Sequence, residues 1–394
     1  VPPASASAAN WPQYGFGPGL DGFNAAESTI GPANVHSLVL RWAKSVDYSS
    51  TFATGGADGT PIEGGGSVFV GTSNHHLEAF NATTGAGEWI GPARRGNISF
   101  NGSPVYAKGV VYENDPGGGR VYAFNAKTGH VIWTSAQYGS GGVSDTGLTL
   151  VGNTLLEPLQ SGLGGSAPGG VVALKASNGK KLWELTPAGQ INNESACVVG
   201  NSVYILTGGS GGSTVTAIAL GTGKKQWSAH FAGFSTTSST SAVAGGLLLA
   251  LGTNSGNGQL IKISTTSKGK KLWAVPLSGT PYGTPAVAYG DVFVGTSTKV
   301  YAFKASTHGL LWSAPDDGRA VGGISVADHV AFFAEQSNVT GSGVLVGLST
   351  AAGHQLWSAS LANDSNSEPV VVNGSVYVTD FGGAPGYLYR FALL

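Results

Sequence analysis

The sequence predicts an all-β fold: an eight-bladed β-propeller with four-stranded antiparallel blades, the last blade closed by N- and C-terminal strands. Three observations predict it. Eight tryptophans (Trp42, Trp89, Trp133, Trp183, Trp227, Trp273, Trp312 and Trp357) recur at intervals of 39 to 50 residues. A strand-rich repeat of about 40–50 residues is the signature of propeller blades. Each tryptophan also ends a similar turn phrase, and the two chain ends break the repeat in complementary places.

The turn phrase is clearest in Ala79-Phe-Asn-Ala-Thr-Thr-Gly-Ala-Gly-Glu-Trp89 and Ala123-Phe-Asn-Ala-Lys-Thr-Gly-His-Val-Ile-Trp133. It reads as strand, tight turn, strand. A glycine four residues before the tryptophan in six of the seven internal copies (Gly85, Gly129, Gly179, Gly223, Gly269, Gly353) supplies the positive φ of the turn; the copy ending at Trp312 has His308 there. The small residue ten before the tryptophan leaves room for the indole to pack between blades. A second phrase places Pro61, Pro104, Pro285 and Pro369 eight residues before Phe69, Tyr112, Phe293 and Tyr377. Proline belongs at the start of a strand, where a lost N–H costs least. Two hairpins per repeat make one four-stranded blade. After Trp357 the chain holds three further strands, ending in Tyr387 to Leu394, and no further tryptophan. Leu38 to Trp42 supplies the missing outer strand, a clasp that removes free sheet edges.

Composition narrows the functional classes. Of 394 residues, 64 are Gly and only 10 % are charged, with a formal net charge of −1. That balance gives no electrostatic case for nucleic acid or an anionic membrane, and it suits a hydroxyl-rich surface in a harsh medium. No apolar run reaches membrane-spanning length. The chain contains no Met and opens Val1-Pro-Pro-Ala-Ser-Ala-Ser, which is expected of a secreted protein whose signal peptide has been removed. Residues 1–10 then form a flexible arm and residues 11–394 a single propeller domain. The lone Cys197, in Ser-Ala-Cys-Val-Val, reads as a buried inert thiol. Seven Asn-x-Ser/Thr sequons, at Asn81, Asn97, Asn101, Asn193, Asn338, Asn363 and Asn373, matter only in a host that glycosylates.

The Ala-x-x-x-x-Thr-Gly-x-x-x-Trp phrase resembles the tryptophan-docking motif of the quinoprotein (PQQ-type) eight-bladed propellers. The opening Trp11-Pro-Gln-Tyr-Gly15, Ile30-Gly-Pro-Ala-Asn-Val35 and Leu38-x-Leu-x-Trp42 is similar to the start of PQQ-dependent alcohol and polyvinyl-alcohol dehydrogenases. The likeness runs from Trp11 to Leu394. The same repeats also build non-catalytic scaffolds of the BamB type. The resemblance implies a cofactor pocket at the axial channel, with PQQ and Ca²⁺ held by a Glu, an Asn and a catalytic Asp. Two departures count against a working quinoprotein: those dehydrogenases carry an adjacent Cys-Cys disulfide and often a haem domain, whereas this chain has one cysteine and no Cys-x-x-Cys-His.

In a propeller the segments entering the innermost strands form one mouth of the channel. Here they offer Asp58, Asn101, Asp145, Asn193, Glu194, Tyr282, Arg319, Asn366 and Glu368. If PQQ and Ca²⁺ bind, Asp58 or Asp145 is the expected base, Glu194 or Glu368 an expected metal ligand, and Asn101, Asn193, Tyr282 and Arg319 the candidate cofactor contacts; a Ca²⁺ ion takes six to eight oxygens. The bland alternative makes them solvated mouth residues. Glu113-Asn114-Asp115, Glu157, Glu335 and Asp380 follow the second strands and are expected on hairpin loops of the opposite or lateral face. His75-His76 and Arg94-Arg95 are expected to be plain loop residues. The leading expectation is a secreted, non-catalytic platform that holds a protein or polymer partner on the channel mouth or a blade face, or that self-assembles. The alternative is a small quinoprotein that oxidises an alcohol, sugar or polyol, and a more distant one is a polysaccharide lyase or hydrolase using Glu194 and Glu368.

Overall fold

The computed structural model describes residues 10–46, 59–72, 76–91, 102–115, 119–138, 147–159, 169–186, 195–208, 211–236, 241–253, 255–315, 320–336, 341–381 and 385–394. These residues form eight sheets arranged as the blades of a propeller. The innermost strands of blades 1 to 8 are Ile62–Gly64, Val105–Ala107, Thr149–Val151, Cys197–Val199, Ser241–Val243, Ala286–Ala288, Ala320–Ala327 and Val370–Val372. Each blade continues outward through three more antiparallel strands, called b, c and d from axis to rim, with the innermost called a. In blade 4, for example, b, c and d are Ser202–Thr207, Gly212–Ala219 and Lys225–Ala232. Short strands Phe234–Thr236 and Phe23–Asn24 add to blades 5 and 7.

The clasp is as the sequence predicts. Blade 8 takes strands a to c from Val370–Val372, Ser375–Thr379 and Gly386–Ala392, and its rim strand is Val39–Val46 from the other end of the chain. Val39 pairs with Ala392 and Val46 with Gly386.

Five of the eight repeat indoles do two jobs. Trp183 lies directly across from Ala173 on strand c, and its Nε1 donates 2.7 Å to the Leu220 carbonyl of the next blade. Trp89, Trp133, Trp312 and Trp357 donate in the same way to Ala126, Ala176, Thr350 and Leu38. The turn glycine is fixed for two reasons, not one. Gly223 has φ of +68°, and a Cβ there would lie 2.7 Å from Cδ2 of Trp183. The glycine is therefore the socket of the preceding blade's indole as well as a turn residue. His308 departs from the rule, with φ of +54°, and stacks on Trp273 at 5.7 Å. At the seam between blades 8 and 1, Trp42 covers Gly85, but the Ala82 carbonyl accepts from the Tyr377 hydroxyl instead.

The antiparallel order corrects one expectation. Strand a runs from the first face of the disc to the second, so strand b returns to the first face. The ends of b therefore share a face with the segments that enter a, not the opposite face. Glu113, Asn114, Asp115 and Glu157 are fully buried strand residues rather than turn residues, because the b strand extends through them. Asp380 does anchor a hairpin: it accepts from Asn363 and Tyr387 backbone N–H groups and from the Tyr389 hydroxyl. His75, Arg94 and Arg95 lie outside the described residues. Cys197 is buried, as predicted, with its thiol 3.4 Å from the Gly19 carbonyl.

Candidate functional site: the axial channel and its strap

The channel axis is crossed by the chain's own N-terminal segment. Residues Trp11 to Asn24 circle inside the ring and touch the same backbone position of every blade in turn. That position is the residue of strand a paired with Val68, Val111, Leu155, Val203, Leu247, Val292, Ala331 or Val376 of strand b. Glu63 N–H donates to Trp11 O and receives the Trp11 N–H in return. Tyr106, Val198, Ala242, Val287 and Val326 N–H groups donate to the carbonyls of Pro12, Pro18, Gly19, Asp21 and Gly22. Leu150 N–H donates to the Gln13 side-chain carbonyl, and Asn24 Nδ2 donates to Val371 O.

The physical need is plain. A short innermost strand has no neighbour on its axial side, and a buried N–H without an acceptor costs about 1–3 kcal/mol. Seven of these N–H groups find their acceptor in the strap. The composition of the strap follows from the task. Pro12 and Pro18 contribute carbonyls and need no acceptor of their own. Gly15 and Gly22, with φ of +63° and +62°, turn the segment and close it on itself through Gly22 N–H to Gly15 O.

Three residues before the strapped position, the inner wall is polar: Thr60, Ser103, Ser195, Thr284 and Glu368, all buried, with Gly147 and Gly323 between them. Glu368 N–H donates to Thr60 Oγ1, and Thr60 N–H to Ser103 Oγ. Tyr14 rises from the strap and donates to Thr284 Oγ1 at 2.8 Å. Glu368 is the single carboxyl of this layer. Its Oε2 accepts the Gly15 N–H at 2.8 Å and its Oε1 the Ser325 hydroxyl at 3.2 Å. Burial pushes its pKa up to about 8, against the lowering effect of these two donors, and Asp21 adds to the rise. Once protonated, the carboxyl can donate to Ser325 Oγ, whose hydroxyl is also in reach of the Pro369 carbonyl. Both Glu368 oxygens are thus engaged within the layer, whereas Trp11 Nε1 and Gln13 Nε2 of the strap are buried without a hydrogen-bond partner.

Of the residues expected at the mouth, Glu368 is thus engaged by the strap, Tyr282 is exposed, and Asn366 is exposed with its backbone packed on Gly322. Asp58, Asn101, Asp145, Asn193, Glu194 and Arg319 lie outside the described residues. Among the described residues no group of three His, Cys, Asp or Glu side chains could hold a metal ion. Glu368 alone is far short of the six to eight oxygens of a Ca²⁺ site.

A second buried acidic feature was legible only with the register in hand. The strand-b residue two after the strapped pair is Val70, Ile205, Leu249, Val294, Phe333 or Val378 in six blades, all buried. Blades 2 and 3 carry Glu113 and Glu157 there. Asn114 Nδ2 donates to Glu157 Oε1 at 3.2 Å, and Asn114 N–H to Glu113 Oε1. Burial raises both carboxyls well above the usual range. Aligning the residue after each strand-b aromatic exposes Glu113, behind Tyr112, as an outlier; Glu157 follows Leu156 and needs the register as well.

The fold and the repeat define a PQQ-type eight-bladed propeller. The family described as outer membrane protein assembly factor BamB matches residues 40–211 and again 211–389, and the chain belongs to that family. Among solved structures it is similar to the quinohemoprotein alcohol dehydrogenase of Comamonas testosteroni, at 17 % identity and a TM-score of 0.78, over 98 % of this chain and 81 % of that one. It is similar also to BamB of Moraxella catarrhalis, at 17 % identity and a TM-score of 0.67, over 90 % of this chain and 99 % of that one. The computationally designed Ika8 protein shares the fold at 12 % identity and a TM-score of 0.68, over 89 % and 98 %. No curated protein sequence matches the chain. At these identities the structural likeness speaks to the fold alone.

Proposed function

We propose that this chain is a non-catalytic propeller that works outside the cytoplasm as a protein-binding platform, as the name of its family, an outer membrane protein assembly factor, suggests. The observation that carries the reading is the strap. The axial space where a flat cofactor would lie is crossed by residues 11–24, and Glu368, the one described candidate for a metal ligand, is engaged by Gly15 and Ser325. The family tie favours a scaffold, and among the described residues no group of three His, Cys, Asp or Glu side chains could hold a metal ion. The test is to add PQQ and Ca²⁺ to the purified protein and follow both melting temperature and dye reduction with alcohols, polyols and aldoses. No thermal shift and no turnover are expected, with a protein partner recovered by affinity capture from the source organism's envelope. Saturable PQQ binding with turnover would establish the quinoprotein reading in its place.

A further inference from the structure

A net charge of −1 is a sum, and the fold separates its parts. The turns joining a to b and c to d all lie on the second face of the disc. Nine of the 14 lysines fall on exposed tips of these turns in blades 2 to 5, four consecutive blades. Six of the nine are Lys127 of blade 2, Lys180 of blade 3, Lys224 and Lys225 of blade 4, and Lys270 and Lys271 of blade 5. No Asp or Glu stands in these turns. Lys181, beside them, points away to Glu184 and over Tyr138. The buried acids of blades 2 and 3 lie toward the other face, where Asp115 ends its strand and Glu113 and Glu157 stand two residues from the ends of theirs. Blades 6 and 7 differ on this face: Lys304 of blade 6 is held by Asp291 at 2.7 Å, and blade 7 has no lysine or arginine among its strands and tips.

Aliphatic side chains stand beside the lysines. Ile132, Leu182 and Leu272 each precede the rim tryptophan of blades 2, 3 and 5 and are about half exposed (52 %, 50 % and 49 %). The crescent is thus cationic and apolar at once, and it belongs to the flat side of a disc rather than to a groove.

We propose that this crescent docks the propeller, peripherally, on an anionic lipid surface. Lysines near such a surface are drawn to it individually, and exposed Leu and Ile side chains enter the headgroup boundary. The crescent contains no arginine and no exposed Phe, Tyr or Trp ring, the groups that grip phosphodiester backbones and stacked bases; this sets nucleic acid below lipid. The chain needs no membrane-crossing helix for this mode, and none of its described helices is long and apolar enough to cross. The partner platform and the lipid face are separate claims, since the strap and the crescent share no residue.

The test is cosedimentation of the whole protein with phosphatidylcholine vesicles, with and without phosphatidylserine, at low and high salt. Binding is expected only to the anionic vesicles and is expected to weaken steeply with salt. Reversing four exposed charges together, Lys224→Glu, Lys225→Glu, Lys270→Glu and Lys271→Glu, is expected to weaken it on the order of 100-fold. Lys299→Glu, at the far end of strand c in blade 6, is expected to leave it unchanged. Leu182→Ser with Leu272→Ser is expected to weaken it without altering the salt dependence. Melting temperatures of all variants confirm folding. Absence of binding to anionic vesicles, indifference to the fourfold reversal, or tighter binding to duplex DNA than to vesicles would overturn the proposal.

Discussion

Raising the pH from 4.5 to 8.5 is predicted to destabilise the folded protein substantially. Every carboxyl with a resolved shift among the described residues moves up, and burial is the first cause in each case. Glu368 rises from 4.5 to about 8 and Glu63 to about 7. Because the folded state holds these protons to higher pH than the unfolded state does, the native form binds more protons between the two pKa values, and stability falls as pH rises through that window. Below about pH 4.5 both states are protonated and nothing is lost. At 1.36 kcal/mol per unit, Glu368 accounts for about 5 kcal/mol and Glu63 for about 3 kcal/mol by pH 8.5. Glu113 and Glu157 add in the same direction. An unfolding entropy of about 2.1 cal/mol/K per residue is roughly 0.8 kcal/mol/K for this chain, so the first two groups alone lower the melting temperature by about 10 °C. The assay is differential scanning calorimetry in half-unit steps of pH, paired with Glu368→Gln. The amide keeps the Gly15 N–H acceptor without the charge, so the variant should match the parent near pH 4.5 and melt about 6 °C higher at pH 8.5. A melting temperature that is flat or rises between pH 5 and 8.5 would refute the reasoning.

Three further predictions concern the ring. Gly223→Ala should cost about 2–3 kcal/mol in urea unfolding, from a strained φ and a clash with the Trp183 indole, whereas Gly221→Ala, with open space around its Cα, should cost under about 0.5 kcal/mol. Trp183→Phe removes the donor to the Leu220 carbonyl and part of the ring, and should cost about 2–4 kcal/mol by the same measurement. Tyr377→Phe removes the hydroxyl that binds the Ala82 carbonyl across the clasp and should cost about 1–3 kcal/mol; an unchanged midpoint would mean the seam is held elsewhere.

The ring was readable because its determinants repeat. An indole, a small residue across from it and a glycine socket recur at fixed spacing, so each copy vouches for the others, and the incomplete ends match because Val39–Val46 and Gly386–Ala392 are halves of one blade. The strap was not readable, because its contacts have no period. Trp11 to Asn24 binds mainly through backbone carbonyls, which any sequence offers, with only Gln13 and Asn24 using side chains, and the one hint was a run of Pro and Gly that reads equally well as a loop. Glu113 and Glu157 were misjudged for a related reason: a polar residue after an apolar run signals a turn, unless the register shows the strand continuing through it. Glu368 was singled out for its charge, and its partners, Gly15 and Ser325, are 353 and 43 residues away in sequence.

The account depends most on the strap. Hydrogen exchange at the innermost strands, compared between the whole chain and a variant lacking residues 1–24, tests it directly. The N–H groups of Tyr106, Leu150, Val198, Ala242, Val287 and Val326 should be protected in the whole chain and should exchange orders of magnitude faster in the shortened one, while the strand-b amides around Val203 and Val292 keep their protection. Equal protection of those six groups in both proteins would show that something other than residues 11–24 covers the axis.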